Sequence, residues 1–362
     1  MSKLLEQINK EKKEMTLGDV VTFHRGYDLP ITEIKSGPYP VVFSNGRKEY
    51  HSEFKVKGPG VFTGRSGSLG GMFYVDEDYW PHNTTLYVSD FHDNDPKYCY
   101  YFLSSFDFEK FNAGTGVPTL NRNHIHGIPV KVPSVPTQKK IAEILSAYDA
   151  KIENNNLIIK KLEATAQTLF DEWFVNFRFP GHEKAKFIDS EMGEIPEGWT
   201  IGNIENICTR LPSGKVFKEN QLSSSGDIPV YDQSSKGIIG FHNEEPAFNA
   251  DINNPVLIFG DHTCRTQLVC EAFSLGPNTI PLSEKNNYSP IFSYFLIKDL
   301  IDQREYKRHW SELVSNRFII PSLEWVEKWV DIVAPMINSM IHFEKENISL
   351  KSQRDRLLAK LI

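Results

Sequence analysis

Apolar side chains recur in alternating steps of four and three at Ile141, Leu145, Tyr148, Ile152, Ile159, Leu162, Ala166, Leu169 and Trp173, with Asn155 in the single polar slot. That spacing lines one seam of a coiled-coil helix. Adding 188 to each number gives Trp329, Val333, Met336, Met340, Phe343, Asn347, Leu350, Arg354, Leu357 and Leu361, a second seam that is again mostly apolar. The pattern predicts two spacer helices, 135–178 and 323–362, each on the order of 60 Å long. Thr137, just after Pro136, reads as the first helix's N-cap. Pro335 replaces Ala147 of the first copy and should break or kink the second helix. Two near-equal helices favour pairing with each other, antiparallel, with Asn155 and Asn347 as polar register-setters. The bland reading of those asparagines is a solvated, frayed stretch. Arg354 either snorkels or pairs with an acid.

Between the helical segments the period changes. Residues 1–134 and 201–322 read as short alternating or apolar runs punctuated by Gly, Pro and Asn, hence short strands and turns. Helices are interspersed at Pro96 to Phe111 and Ser289 to Arg308. The two halves echo each other. Gly37-Pro-Tyr-Pro-Val-Val matches Gly226-Asp-Ile-Pro-Val-Tyr, and Val61-Phe-Thr-Gly-Arg matches Leu257-Ile-Phe-Gly-Asp. Pro81-His-Asn-Thr-Thr-Leu matches Gly276-Pro-Asn-Thr-Ile-Pro, and Tyr100-Tyr-Phe-Leu matches Ser293-Tyr-Phe-Leu. The fold class is α/β (α+β): two similar globules separated by two long antiparallel helices, in a pseudo-twofold tandem repeat. Residues 179–200 form an exposed, polar, net acidic connector. A shared framework with different polar residues between the matched positions suggests two different things recognised.

Composition narrows the partners. Net charge is −7. Residues 1–134 carry 15 Lys/Arg against 16 Asp/Glu, and residues 201–322 carry 11 against 14. A non-specific nucleic-acid binder normally shows a basic excess. A protein that reads bases with a few placed side chains, while partners supply most phosphate contacts, is compatible with this balance. Cys99, Cys208, Cys264 and Cys270 show no CxxC spacing and read as thiols of a reducing compartment. With no transmembrane-length stretch and a charged N-terminus, the expected location is the cytoplasm.

Signs of catalysis are missing. Asp95-Pro96-Lys97 and Asn254-Pro255-Val256 are not an amino-methyltransferase signature. Ser213-Gly214-Lys215 lacks the upstream Gly and the following Ser/Thr of a phosphate loop. The glycine-rich run Gly64 to Gly71 does not follow GxGxxG and reads as tight turns near a ligand. His82, His124 and His126 lack acidic or Cys partners at metal-ligand spacing. No metal site is expected.

The duplicated globule and heptad helix resemble the specificity subunit of type I restriction–modification systems. Leu17-Gly-Asp-Val-Val-Thr-Phe-His-Arg-Gly26 is similar to the opening strand of that family's target recognition domain. Asn112 to Leu120 followed by Ile128-Pro-Val-Lys-Val-Pro133 is similar to its approach to the first helix. Gln138 to Glu153 and Leu162 to Phe174 resemble its central helix, and Gly193-Glu-Ile-Pro-Glu-Gly-Trp199 resembles the start of its second recognition domain. The second half departs from the pattern: it has no GTG-type turn before its helix, and Glu324-Trp325-Val326 stands where the first copy has Pro136-Thr137-Gln138.

The resemblance implies a non-catalytic reader of double-stranded DNA, each globule reading one half of a split, asymmetric target. The helix pair would set the spacer and dock two methyltransferase subunits. S-adenosylmethionine and ATP would be carried by partner subunits, the ATP by restriction subunits, with no cofactor in this chain. A helix pair acting as a ruler would place half-site centres about one duplex turn, roughly 34 Å, apart, leaving about 5–8 unread base pairs. Candidate base or phosphate contacts in the first globule are Asn45, Arg47, Lys48, Arg65, Ser66, Ser68, Thr115, Asn121 and Arg122. In the second they are Gln233, Ser234, Lys236, His262, Arg265, Lys307, Arg308 and Arg317. Arg and Asn dominate because they make bidentate contacts to guanine and adenine edges; each alone is equally readable as a solvated loop residue. The residues also leave open a coiled-coil assembly protein whose globules bind protein or carbohydrate.

Overall fold

The computed structural model describes residues 6, 8, 10–46, 48–114, 116–301 and 307–362. It comprises two compact units, Met1–Asn155 with Lys345–Ile362, and Asn156–Glu344. Both boundaries fall inside a long helix.

Among its described residues the first unit has nine strands: β1 (Lys13–Thr16), β2 (Thr22–Arg25), β3 (Tyr39–Val42), β4 (Lys48–His51), β5 (Gly60–Gly64), β6 (Met72–Val75), β7 (Trp80–Pro81), β8 (Thr85–Asp90) and β9 (Pro129–Val132). They form one sheet in the order β2-β8-β5-β6, another in the order β4-β3-β7, and the β1–β9 pair. Every residue of β5 is buried. Helix α1 (Leu17–Val20) starts at a capping box, Thr16 with Asp19, which satisfies orphan N–H groups reciprocally. Helix α2 (Pro96–Ser104) starts at Asp95, whose side chain accepts Tyr98 N–H at 2.8 Å, with Pro at the first helical position. Helix α3 (Arg122–Ile125) starts at Asn121, whose side chain accepts Asn123 N–H at 3.0 Å. The expected helix to Phe111 stops at Ser104 and resumes only as a single turn, Phe108–Phe111.

Helix α4 (Val135–Phe170) begins two residues before the expected cap. The Ser134 carbonyl accepts Gln138 N–H at 2.9 Å, and Pro136 lies in the first turn, where an N–H has no intrahelical partner anyway. Thr137 is therefore inside the helix, and its hydroxyl donates to Glu11 Oε2 at 2.7 Å. Buried Gln138 ties the helix to its globule by donating to Asn94 Oδ1 at 2.7 Å and accepting Asp95 N–H at 3.0 Å. Within this unit, Ile141, Ala142 and Leu145 of α4 and Leu361 of the C-terminal helix share one core with Leu17, Phe23, Val61, Tyr98 and Phe102. The two helix segments run antiparallel: Asp149 meets Arg354, and Asn155 meets Asn347. Arg354 thus pairs with acids, Asp149 and the neighbouring Asp355.

The second unit repeats the plan. A hairpin, β10 (Phe187–Ser190) with β11 (Gly193–Pro196), precedes β12 (Thr200–Gly202), β13 (Cys208–Arg210), β14 (Ile228–Tyr231), β15 (Ile238–His242), β16 (Phe248–Asn249), β17 (Val256–Gly260), β18 (Thr266–Val269), β19 (Ala272–Leu275), β20 (Thr279–Glu284) and β21 (Phe318–Ile320). The sheets run β13-β20-β17-β18 and β15-β14-β19-β16, with β12 paired to β21. This is the strand order of the first unit with one added edge strand, β16. The caps recur as well. Helix α5 (Ile204–Ile207) has a capping box of Asn203 with Asn206, and α6 (Pro290–Ile297) starts at Ser289-Pro290. Helix α7 (Trp310–Ser315) leads to β21. The helix expected from Ser289 to Arg308 ends at Ile297, and residues 302–306 lie outside the described set.

Helix α8 (Leu323–Leu361) runs through Pro335, so of the expected break or kink the break does not occur. Pro335, Asp331 and Ile332 are exposed, so water can take the carbonyl that the proline leaves without a donor. In this unit α4 ends in a π turn, Asp171–Val175. Phe170, Trp173 and Phe174 there pack on Trp325, Trp329 and Phe292 at ring separations of 5.2–6.1 Å, again antiparallel. The connector is not wholly exposed, because Phe179, Ile195 and Trp199 are buried in this core.

The seam residues Ile141, Leu145, Tyr148, Ile152, Asn155, Ile159, Leu162 and Leu169 are buried or half-buried, as are Met340, Phe343, Asn347, Leu350, Leu357 and Leu361.

Candidate nucleic-acid interface

Register determines which loops meet. Arg25 pairs with Leu86, and Gly64 with Thr85, so β2 and β5 end where β8 begins. In the neighbouring sheet Val42 pairs with Lys48 and with Pro81, so β3 and β7 end together. Hence the loops after β2, β3, β5 and β7 all leave one end of the strands. Pro118 and Thr119 join them through a Ser66–Thr119 bridge and the Gly67 N–H to Pro118 carbonyl bond at 3.1 Å. In the second unit Gly260 pairs with Thr279, and Tyr231 with Leu275, so the loops after β13, β14, β17 and β19 gather in the equivalent way. His309 N–H donates to the Asp261 carbonyl at 2.7 Å and brings in the segment before α7. Two glycines at matching strand ends let the loops close down. A Cβ on Gly64 would lie 1.7 Å from the Ser68 carbonyl oxygen, and one on Gly260 2.6 Å from Gln233 Cβ.

The candidate residues distribute as follows. Asn45 sits on the β3–β4 loop, Lys48 is the first residue of β4, and Arg65, Ser66 and Ser68 lie on the β5–β6 loop. Arg47 and Thr115 lie outside the described residues. Asn121 is spent capping α3, and exposed Arg122 donates to the Phe23 carbonyl at 3.4 Å. Arg65 donates to the Asn83 carbonyl at 3.3 Å. In the second unit Gln233 accepts His262 N–H at 2.9 Å, and Arg265 donates to the Ser234 carbonyl, so these four are one knot, with Lys236 exposed beside it. Lys307 pairs with Glu312 at 3.8 Å, and Arg308 with Asp261 at 3.7 Å. Arg317 differs: its ion pair is with Glu191 at the β10–β11 turn, at 2.7 Å, rather than with any of these loops.

Residue-by-residue reading missed several members. Arg25 and Asp28 are linked at 3.1 Å, and Asn83 donates to the same Asp28 oxygen, Oδ1. That amide bond holds the Asp28 carboxyl below its ordinary range. In the second unit a cleft of about 370 Å³ is lined by Arg210, Ser213, Asp261, Asn278, Arg308 and Trp310, among others. The Arg210 guanidinium lies 5.4 Å from the Trp310 ring centre, a cation–π arrangement. The signal that could have found Asn83 and Asn278 was their shared place in the repeat. His82 is held by Thr84 at 3.0 Å, and His126 accepts Phe23 N–H at 3.1 Å. Burial depresses both imidazoles below their ordinary value, so each works as a neutral hydrogen-bonding group.

Among the described residues, no helix is long and apolar enough to cross a membrane. Residues 9–164 match the family described as the type I restriction modification DNA specificity domain. The chain is 26% identical over 303 residues to the type I restriction enzyme MjaIX specificity subunit of Methanocaldococcus jannaschii, covering 74% of this chain and 68% of that one. It is 27% identical over 330 residues to the putative type I specificity subunit S.MpnORF638P of Mycoplasma pneumoniae, covering 82% and 80%. The fold is similar to the crystal structure of a type I restriction–modification system S subunit from M. genitalium, with a TM-score of 0.67 at 19% identity over 97% of this chain and 96% of that one. Residues 9–164 thus match the DNA specificity domain of type I restriction–modification systems, and over most of its length the chain is similar to their specificity subunits.

Proposed function

We propose that this chain is the non-catalytic, DNA-reading subunit of its complex, and that each loop end reads one half of a bipartite, asymmetric duplex target. The observation that carries this reading is the pairing of one strand order with two different polar loop sets. Arg65, Ser66 and Ser68 follow β5, whereas Asp261, His262 and Arg265 follow β17. A scaffold kept constant while its tips change suits two unlike base sequences, because base edges are read by individual side chains. The acidic balance of the chain leaves most phosphate contacts to partners. Two methyltransferase subunits carrying S-adenosylmethionine would dock on the helix pair, with ATP-driven restriction subunits as further partners. Joining two half-site readers makes the second engagement intramolecular and raises the overall affinity without new contacts.

The test is to co-express the chain with its methyltransferase partner and sequence the methylated adenines. A two-part motif with an unread gap is expected. A contiguous motif, or no motif, would overturn the reading.

A further inference from the structure

Asp28 is the unusual group on the first unit's loop end. Its side chain is 72% exposed, yet it is held from two directions. Arg25, at the end of β2, and Asn83, on the β7–β8 loop, both donate to its Oδ1. The backbone beneath is fixed too, since Gly26 N–H donates to the Thr85 carbonyl at 3.1 Å and Tyr27 N–H to the Pro81 carbonyl at 2.8 Å. Oδ2 makes no bond among the described residues. Glu33, on the same loop, is exposed, and its carboxylate makes no hydrogen bond or ion pair among the described residues, which is the ordinary state of a solvated acid. In the second unit, Asp261 is only 13% exposed, and its carboxylate is occupied by Trp310 N–H at 3.0 Å and by Arg308.

A fixed, exposed carboxylate is a poor neighbour for a phosphodiester, because like charges repel. It suits a donor. On a duplex the base-edge donors in the major groove are the exocyclic amino groups, cytosine N4 and adenine N6. We propose that Asp28 reads one such amino group in the first half-site through Oδ2, with Arg25 and Asn83 as positioning residues that hold it. Arg65, on the adjoining loop and bonded to the Asn83 carbonyl, stands beside it as the donor for a neighbouring acceptor edge. The inference rests on the DNA-reading role proposed above.

The complex of the full chain with its methyltransferase partner carries the test, read as methylated-adenine motifs in genomic DNA. Asp28→Ala is expected to relax one position of the first half-site, reducing discrimination there about ten-fold, while the second half-site and the spacer stay unchanged. The relaxed position identifies the base: a C says cytosine N4, an A says adenine N6. Asp28→Asn, which keeps an oxygen acceptor and the shape, should retain part of the preference. Asn83→Ala should relax the same position less, through lost positioning. An unaltered motif in Asp28→Ala would overturn the proposal. So would a uniform loss of methylation in both Asp28 variants, which would assign the residue to folding. Failure of the DNA-reading role itself is distinguishable, because the unsubstituted complex would then yield no bipartite motif.

Discussion

Asn155 donates through Nδ2 to Oδ1 of Asn347 at 2.9 Å, so the asparagines of the two helical seams meet. Asn155 is fully buried, and its Nδ2 also donates to Glu346 at 2.7 Å. Its own Oδ1 is buried with no partner among the described residues. Such an amide selects a register at a cost in stability. Asn155→Leu is expected to raise stability by about 1 kcal/mol in thermal or urea unfolding, since Glu346 still keeps Lys151 at 3.5 Å. A clear fall in midpoint would show that the amide pair is net stabilising.

Arg354 and Asp149 form a further polar tie between the helix segments of the first unit. Asp149 also accepts from Tyr101, which connects α2 to the same pair. Both side chains of the ion pair are mostly covered, at 22% and 31% exposure. Arg354→Ala should cost about 1–3 kcal/mol, because it removes a charge-assisted bond and leaves a half-buried carboxylate. Urea denaturation of Arg354→Ala, Tyr101→Phe and the double variant would measure the coupling. Strictly additive effects would mean that the three groups do not act together.

The first unit should lose stability in acid through His126. Its imidazole is depressed below its ordinary 6.5, by burial first and by Arg122 second. A group depressed in the folded state binds its proton more readily once unfolded, so stability is full above the unfolded value and falls as pH drops through the folded one. The structural cause is direct: a proton on Nε2 ends its acceptance of Phe23 N–H. Midpoints measured from pH 7 to pH 5 should decline, and the decline should be smaller in His126→Gln, whose amide oxygen can still accept. Equal slopes in the two proteins would exclude His126 as the source.

Arg65 bears on the DNA-reading proposal directly. Arg65→Ala should weaken binding of the cognate duplex by about 1–3 kcal/mol and relax the first half-site if the guanidinium reads a base. A uniform loss across sequences, with a lower salt slope, would assign it to a phosphate. No change in affinity removes it from the interface.

The ruler expectation has its own test. One heptad inserted after Asn155 and another after Phe343 would lengthen both helices by on the order of 10 Å. At about 3.4 Å per base pair, an active complex should prefer a spacer about three base pairs longer, with both half-sites unchanged. Unaltered spacing in the methylated motif would mean that something other than the helices sets the gap.

Much of the organisation was legible in the chain because it is local and periodic. Heptad spacing is carried by neighbouring residues, and every described seam position lies covered. The duplicated strand order was likewise visible in short matched phrases, since each half must bury the same alternating faces. Helix ends were less legible. Thr137 and Ser134 could both serve as caps by type, and only the Ser134 carbonyl bond to Gln138 decided between them. Pro335 looked like a break or kink because the backbone rule is local, but an exposed position lets water donate to the freed carbonyl. The interface needed tertiary structure most. Asp28 and Asn83 are far apart in sequence and meet only because the parallel Tyr27–His82 bridge brings the ends of β2 and β7 together. Arg317 has the residue type of a DNA contact, yet the fold gives it Glu191. Residue type follows from the sequence, whereas partnership depends on which strand ends coincide, and long-range pairing alone decides that.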